Sequence, residues 1–141
     1  MKLPRVFFLM SLLSAGTVAA DITISDGRIR ETIPGQNVGV GYLRIVNGGE
    51  QNCVLGAVSS AAAAKVEVHE HRHEGGKMSM REVVNLQVDA SATVVFEPGG
   101  YHLMLLNLAQ PLTRGGSVTV AFDFGDCGLI TEVFPVVAIG N

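Results

Sequence analysis

Residues 64–84 read AKVEVHEHRHEGGKMSMREVV, and this stretch predicts the fold class of the chain. In its first half Val66 and Val68 alternate with polar residues, which is typical of a strand with one apolar face. The pair Gly75–Gly76 interrupts this segment, and a second short strand-like segment, KMSMREVV, follows. The pattern predicts two strands separated by a turn.

The rest of the chain repeats this pattern, with short strand-like segments recurring about every 8 to 12 residues between Gly, Pro, Asn and Asp. In residues 117–124, SVTVAFDF, four apolar side chains share one face, and in YHLML Leu103 and Leu105 do so. Residues 53–60, CVLGAVSS, read as one such segment. We find no repeat, linker or second domain, so the sequence predicts a single all-β domain, a sandwich or barrel.

The first twenty residues are typical of an export signal and not of a folded element. Lys2 and Arg5 precede an apolar run, and Val18 to Ala20 supply the small residues that a signal peptidase needs. We therefore expect cleavage after Ala20, an exported periplasmic protein, and a domain of residues 21–141. The apolar run is too short to span a membrane and no cysteine ends it, so we expect no membrane anchor.

The charge of the chain argues against nucleic acid as a partner. The formal net charge is −3, and removal of the signal takes two further cations away. Nucleic acids and anionic membrane surfaces require a basic face, so we expect neither. Nor does the sequence contain a GxSxG or a paired acidic motif, and we expect no enzymatic activity.

Two histidines and two methionines have a spacing that indicates a metal site, namely His69, Met80, His102 and Met104. Ten residues separate the first two, 21 the next two and one the last two. Each lies outside the alternating apolar set of its strand, so each local pair faces the same space. Thioether sulfur is a soft, uncharged ligand, and its combination with imidazole favours copper, Cu(I) before Cu(II).

Taken singly, these residues have simpler explanations. A methionine on a strand more often fills a core, and a run such as His69, His71 and His73 is often a solvated hairpin edge. A sandwich without metal therefore stays open as an alternative. Cys53 and Cys127 are the two cysteines of the chain, and export predicts that they form a disulfide, although unpaired apolar thiols are an alternative.

The pattern H-x10-M-x21-H-x-M resembles the signature of the PCu(A)C family of exported bacterial copper chaperones. VEVHEH, KMSMREV and PGGYHLMLLNL resemble that family as well, and the similarity extends through nearly all of residues 21–141. The resemblance implies a cupredoxin-like Greek-key β-sandwich with a Cu(I) site near its surface. Its ligands would be His69, Met80, His102 and Met104.

The family resemblance also implies a function in copper delivery. The acceptor would be a copper site of cytochrome oxidase, such as the subunit that carries the CuA centre, or a thioredoxin-like assembly factor. A periplasmic protein that scavenges or stores copper for tolerance would use the same ligands and is the alternative. His71, His73 and Met78 are spare donors beside the motif, which could hold a second ion, Cu(II) included, or form a solvated hairpin tip.

Overall fold

The computed structural model describes residues 21–140, so the predicted signal peptide lies outside the described residues. Strands account for most of this part of the chain, and its short 3-10 turn, Gly125–Cys127, precedes the last of them. In chain order the strands are β1 (Ile22–Arg30), β2 (Gly39–Asn47), β3 (Cys53–Leu55), β4 (Ala57–Ser59), β5 (Ala63–Glu74), β6 (Lys77–Glu82), β7 (Leu86–Val88), β8 (Thr93–Phe96), β9 (Tyr101–Leu108), β10 (Ser117–Asp123) and β11 (Leu129–Val137). Among residues 21–140 there is no helix of the length and apolarity that crossing a membrane requires.

Nine of these strands form one sheet, in the order β4-β10-β11-β1-β2-β8-β9-β5-β6, and β3 pairs with β7 in a small second sheet. The large sheet curls back on itself, because β4 also pairs with β5 where Val58 lies opposite Val66. Most neighbours are antiparallel, whereas β1 with β11 and β8 with β9 are parallel. The prediction of a single all-β sandwich or barrel is confirmed.

The interior of the folded sheet is a single apolar cluster, and the alternation read from the sequence identifies its members. Val120 and Phe122 of β10 are fully buried, as are Leu103 and Leu105 of β9. Burial of such a side chain contributes about 1.5–3 kcal/mol each, so these inward faces hold the fold together. The opposite faces of the same strands point away from this core.

One predicted segment divides into two strands. The sequence predicts one segment over residues 53–60, but the chain changes sheets at Gly56. β3 pairs with β7, whereas β4 pairs with β10 and β5. Gly56 is therefore the corner at which the backbone leaves the small sheet and closes the large one.

Strands β5 and β6 form a two-stranded ribbon, residues 69–82, and most of it extends beyond the body of the sheet. The inner part of β5 pairs with β9 as far as Glu70 opposite Tyr101, and the outer part pairs with β6 alone. Gly75 and Gly76 form the turn with φ of 60° and 77°, values that glycine adopts without strain. Every residue of β6 is exposed, so packing against the core does not hold this strand in place.

Cys53 and Cys127 are bonded to each other, which confirms the predicted disulfide. Their Cα atoms are 5.9 Å apart, within the range that a disulfide requires. The bond ties β3 to the turn before β11 and closes a long loop, since the two residues are 74 positions apart. In the chain-entropy model such a bond stabilises the fold by about 4 kcal/mol.

Candidate metal centre

The register of three neighbouring strands brings the predicted ligands onto one outward face. His69 of β5 lies opposite His102 of β9, and Glu67 lies opposite Met104. On the other side of β5, His71 lies opposite Met80 of β6. Because side chains two apart on a strand share a face, all of these groups point away from the core. We call the four predicted ligands, His69, Met80, His102 and Met104, the inner cluster.

His102 is the buried centre of this cluster, with 3% of its surface exposed. Its Nδ1 lies 3.2 Å from the carbonyl oxygen of Gly100, and its Nε2 lies 2.9 Å from the sulfur of Met80. A carbonyl oxygen can only accept a hydrogen bond, so Nδ1 carries the proton of the neutral ring. The lone pair of Nε2 therefore faces a thioether sulfur, and these are two donor atoms for a soft metal ion.

Burial also determines the charge of His102. Removal from water lowers the pKa of this imidazole, an effect that the carbonyl of Gly100 opposes and that the neighbouring His71 and His69 reinforce. The ring therefore stays neutral to lower pH than an ordinary histidine does. A neutral ring is the form that binds metal.

His69 is oriented by a carboxylate on its own strand. Its Nε2 lies 2.7 Å from Oε2 of Glu67, and its Nδ1 is buried without a hydrogen-bond partner. Hydrogen bonds from Lys65 and then from His69 hold the pKa of Glu67 below its ordinary value, so this carboxylate is ionised at neutral pH. An ionised carboxylate only accepts, which places the proton on Nε2 and leaves Nδ1 free as a donor to metal.

The ring of His71 lies closer to His102 than the ring of the predicted ligand His69 does. Its ring centroid is 4.8 Å from that of His102, whereas the rings of His69 and His102 are 5.9 Å apart. The motif leaves His71 out, but its position two residues after His69 places it on the same face of β5. That period of two is the sequence signal by which His71 could have been assigned to the site.

His73 and Met78 lie further out on the same face. They form the next cross-strand pair of the ribbon after His71 and Met80, and both are exposed. Met78 has 62% and Met80 48% of its surface exposed, although methionine is an apolar residue. Solvent exposure on this face therefore increases from the buried His102, through the half-exposed Met80, to the exposed outer end of the ribbon.

The opposite face of the ribbon is charged and holds its two strands together. Glu70 receives hydrogen bonds from Arg72 and, at 2.6 Å, from Arg81 across the strands, and Arg72 also contacts Glu74 at 2.9 Å. Exposed ion pairs contribute little stability individually. As a connected network they favour one register, and that register is the one that places Met80 beside His102.

The cysteine sulfurs are engaged elsewhere. Cys53 and Cys127 are bonded to each other on β3 and the 3-10 turn, and neither is a free thiolate. Within residues 21–140 there is no group of three or more His, Cys, Asp or Glu side chains arranged to hold a metal ion. The inner cluster is instead half imidazole and half thioether.

Comparisons with known proteins show the family to which this chain belongs. The chain belongs to the LpqE-like family, described as "Putative lipoprotein LpqE-like", whose model matches residues 22–136. It is 26% identical over 127 residues to "Putative lipoprotein Lxx21020" of Leifsonia xyli subsp. xyli, a match that covers 89% of this chain and 75% of that one.

Solved structures of PCuAC domains share the fold. An apo PCuAC domain of PmoF2 superposes with a TM-score of 0.73 at 22% identity, covering 88% of this chain and 96% of that domain. The copper-bound PmoF2 domain gives 0.69 at 21% identity, covering 83% and 92%. The Cu(I) form of DR1885 from Deinococcus radiodurans gives 0.66 at 22% identity, covering 89% and 81%. The chain therefore has the fold of a PCuAC domain.

Proposed function

We propose that this protein is an exported copper chaperone that binds one Cu(I) ion through His69, Met80, His102 and Met104. The observation that carries the proposal is the contact between Nε2 of His102 and the sulfur of Met80 at 2.9 Å, on a face shared with His69 and Met104. Two uncharged donor atoms with lone pairs toward each other suit a soft, monovalent ion. Two structural neighbours, the copper-bound PCuAC domain of PmoF2 and the Cu(I) form of DR1885, support the choice of metal.

The position of the cluster suits transfer to another protein. His102 is buried, whereas Met80 is half exposed at the sheet edge, so a partner can approach from the side of β6. Neutral imidazole and thioether ligands lack the charge of thiolates, and an acceptor with thiolates can therefore take the ion. The proposed acceptors are the CuA-bearing oxidase subunit and a thioredoxin-like assembly factor.

Export outside the cytoplasm is part of the same proposal. The disulfide between Cys53 and Cys127 fits an oxidising compartment, and the matched family and the Leifsonia relative are described as lipoproteins. Periplasmic location, cleavage after Ala20 and the absence of a lipid anchor stay predictions.

The metal assignment is tested by Cu(I) titration without oxygen of the wild type and of a Met80→Leu, Met104→Leu variant. Leucine nearly conserves volume and apolarity, so the fold should persist. Loss of a group that only orients a ligand typically costs 10–100-fold in affinity, so removing two ligands should cost about a hundredfold or more. Unchanged Cu(I) affinity in the double variant would show that the ligands are wrong.

The chaperone function is tested separately from metal binding. The Cu(I)-loaded protein is mixed with the apo form of a soluble CuA fragment, and copper in each is measured after separation. A chaperone should pass its ion to the fragment. Retention of copper by this protein would instead support the alternative, a scavenging or storage protein.

A further inference from the structure

The outer end of the ribbon carries donors that the inner cluster does not use. We propose that His71, His73 and Met78, the outer cluster, bind a second Cu(I) ion. This inference rests on the proposed function, because it extends the same copper-binding face to a second site.

The register places the three donors within reach of one ion. His73 and Met78 are directly opposite each other across the ribbon, and His71 is the next residue on the same face of β5. Directly opposed side chains have Cβ atoms about 4.5–5.5 Å apart, and same-face neighbours along a strand are about 7 Å apart. Histidine and methionine side chains are long enough to converge over such a patch.

The composition of this face indicates the kind of ion. Glu70, Arg72 and Arg81 form their ion pairs on the opposite face, so the outer cluster presents imidazole and thioether. Met78 is exposed to 62% and packs against no core, and so it has no evident part in stabilising the fold. A thioether beside two imidazoles selects a soft ion, and Cu(I) is the one that the inner cluster also favours.

His71 connects the two clusters. Its ring is 4.8 Å from that of His102, and it lies opposite Met80, while His73 is its neighbour on the outer side. An ion held by the outer cluster would therefore lie next to the inner cluster, with His71 between the two. With fewer donors and more solvent, the outer cluster should bind Cu(I) more weakly and fill second.

The test follows the methyl signals of methionine by NMR during a Cu(I) titration without oxygen. Of the five methionines in the sequence, residues 21–141 contain three, Met78, Met80 and Met104, so a chain without its first twenty residues gives three signals. The Met80 and Met104 signals should shift up to one equivalent of Cu(I). The Met78 signal should shift between one and two equivalents.

Two variants complete the test. A His73→Gln, Met78→Leu variant should lose the second step, so that bound Cu(I) falls from two to one per chain. A Lys77→Gln, Ser79→Ala variant changes two residues on the other face of β6 and should keep both steps.

The outcomes separate this inference from the proposed function. If Met80 and Met104 respond but the Met78 signal never moves, or moves only with the first equivalent, the second site is wrong and the proposed function stands. If Met80 and Met104 do not respond at all, both are wrong.

Discussion

Strands β10 and β6 have similar lengths and similar patterns, with apolar residues at every second position. These residues are nevertheless buried in β10 and exposed in β6. In β10 the apolar set, Val118, Val120 and Phe122, is buried in the core. In β6 the equivalent set, Met78 and Met80, stays exposed on a ribbon that leaves the body of the sheet. The same period of two therefore builds the core in one strand and an exposed thioether face in the other.

The difference lies in the side chains and their neighbours. β10 has partners on both edges, β4 and β11, and its apolar face packs into the core cluster. β6 is an edge strand beside β5. Its apolar residues are methionines, whose side chains are unbranched and contain a sulfur atom. Methionine on an exposed edge contributes little burial, and the proposed role of its sulfur explains why it is there.

The largest expected effect is on the β10 side of this comparison. Phe122→Ala should lower the free energy of unfolding by about 3–5 kcal/mol, because it leaves a cavity in the core. Met78→Ala, on the exposed ribbon, should change it by less than about 0.5 kcal/mol. Chemical denaturation of both variants measures the contrast, and equal losses would mean that the ribbon is packed like the core.

A second prediction separates stability from metal binding at the disulfide. Cys53→Ser with Cys127→Ser should cost about 2–4 kcal/mol in unfolding free energy while Cu(I) affinity stays the same. Denaturation and anaerobic Cu(I) titration of one preparation give both values. A loss of Cu(I) binding in folded protein would contradict the assignment, since the sulfurs would then belong to the site.

A third prediction concerns the carboxylate that orients His69. Glu67→Gln should weaken Cu(I) binding by about 10–100-fold, because the amide no longer fixes the proton on Nε2. Nitrogen NMR of the His69 ring should show Nε2–H in the wild type and a mixture of tautomers in the variant. An unchanged tautomer with unchanged affinity would mean that the 2.7 Å contact has no part in binding.

The smallest expected effect is the response of the site to acid. Protons compete with copper for imidazole, whose unperturbed pKa is about 6.5, whereas thioethers do not titrate. Cu(I) affinity should fall as pH drops below roughly 6. Because burial lowers the pKa of His102, this ring should stay neutral to lower pH than an ordinary histidine does. A constant affinity from pH 8 to 5 would show that no imidazole binds the ion.

The sequence was informative wherever a strand had one buried face. Alternation in residues 117–124 and around Leu103 predicted which side chains enter the core, and by exclusion it placed His102 and Met104 on the outward face. The spacing of His69, Met80, His102 and Met104 indicated a metal site, and the family resemblance implied the same four residues as its ligands. These predictions depend on neighbours along the chain, which a sequence displays directly.

Pairings between distant residues could not be read in the same way. Nothing local indicates that β4 closes the sheet on β5, or that residues 53–60 divide at Gly56 between two sheets. The closeness of His71 to His102 depends on the register of β5 with β9, which long-range pairing determines. Whether Cys53 and Cys127 form a disulfide likewise depends on the distance between them in the fold, which the sequence does not show.

The central claim, that His69, Met80, His102 and Met104 hold copper, is tested most directly by X-ray absorption of the protein loaded with one equivalent of Cu(I). The predicted spectrum has a Cu(I) edge and a ligand shell of two nitrogen and two sulfur atoms. In the Met80→Leu, Met104→Leu variant the sulfur contribution should disappear. A wild-type shell that contains only nitrogen and oxygen would contradict the account.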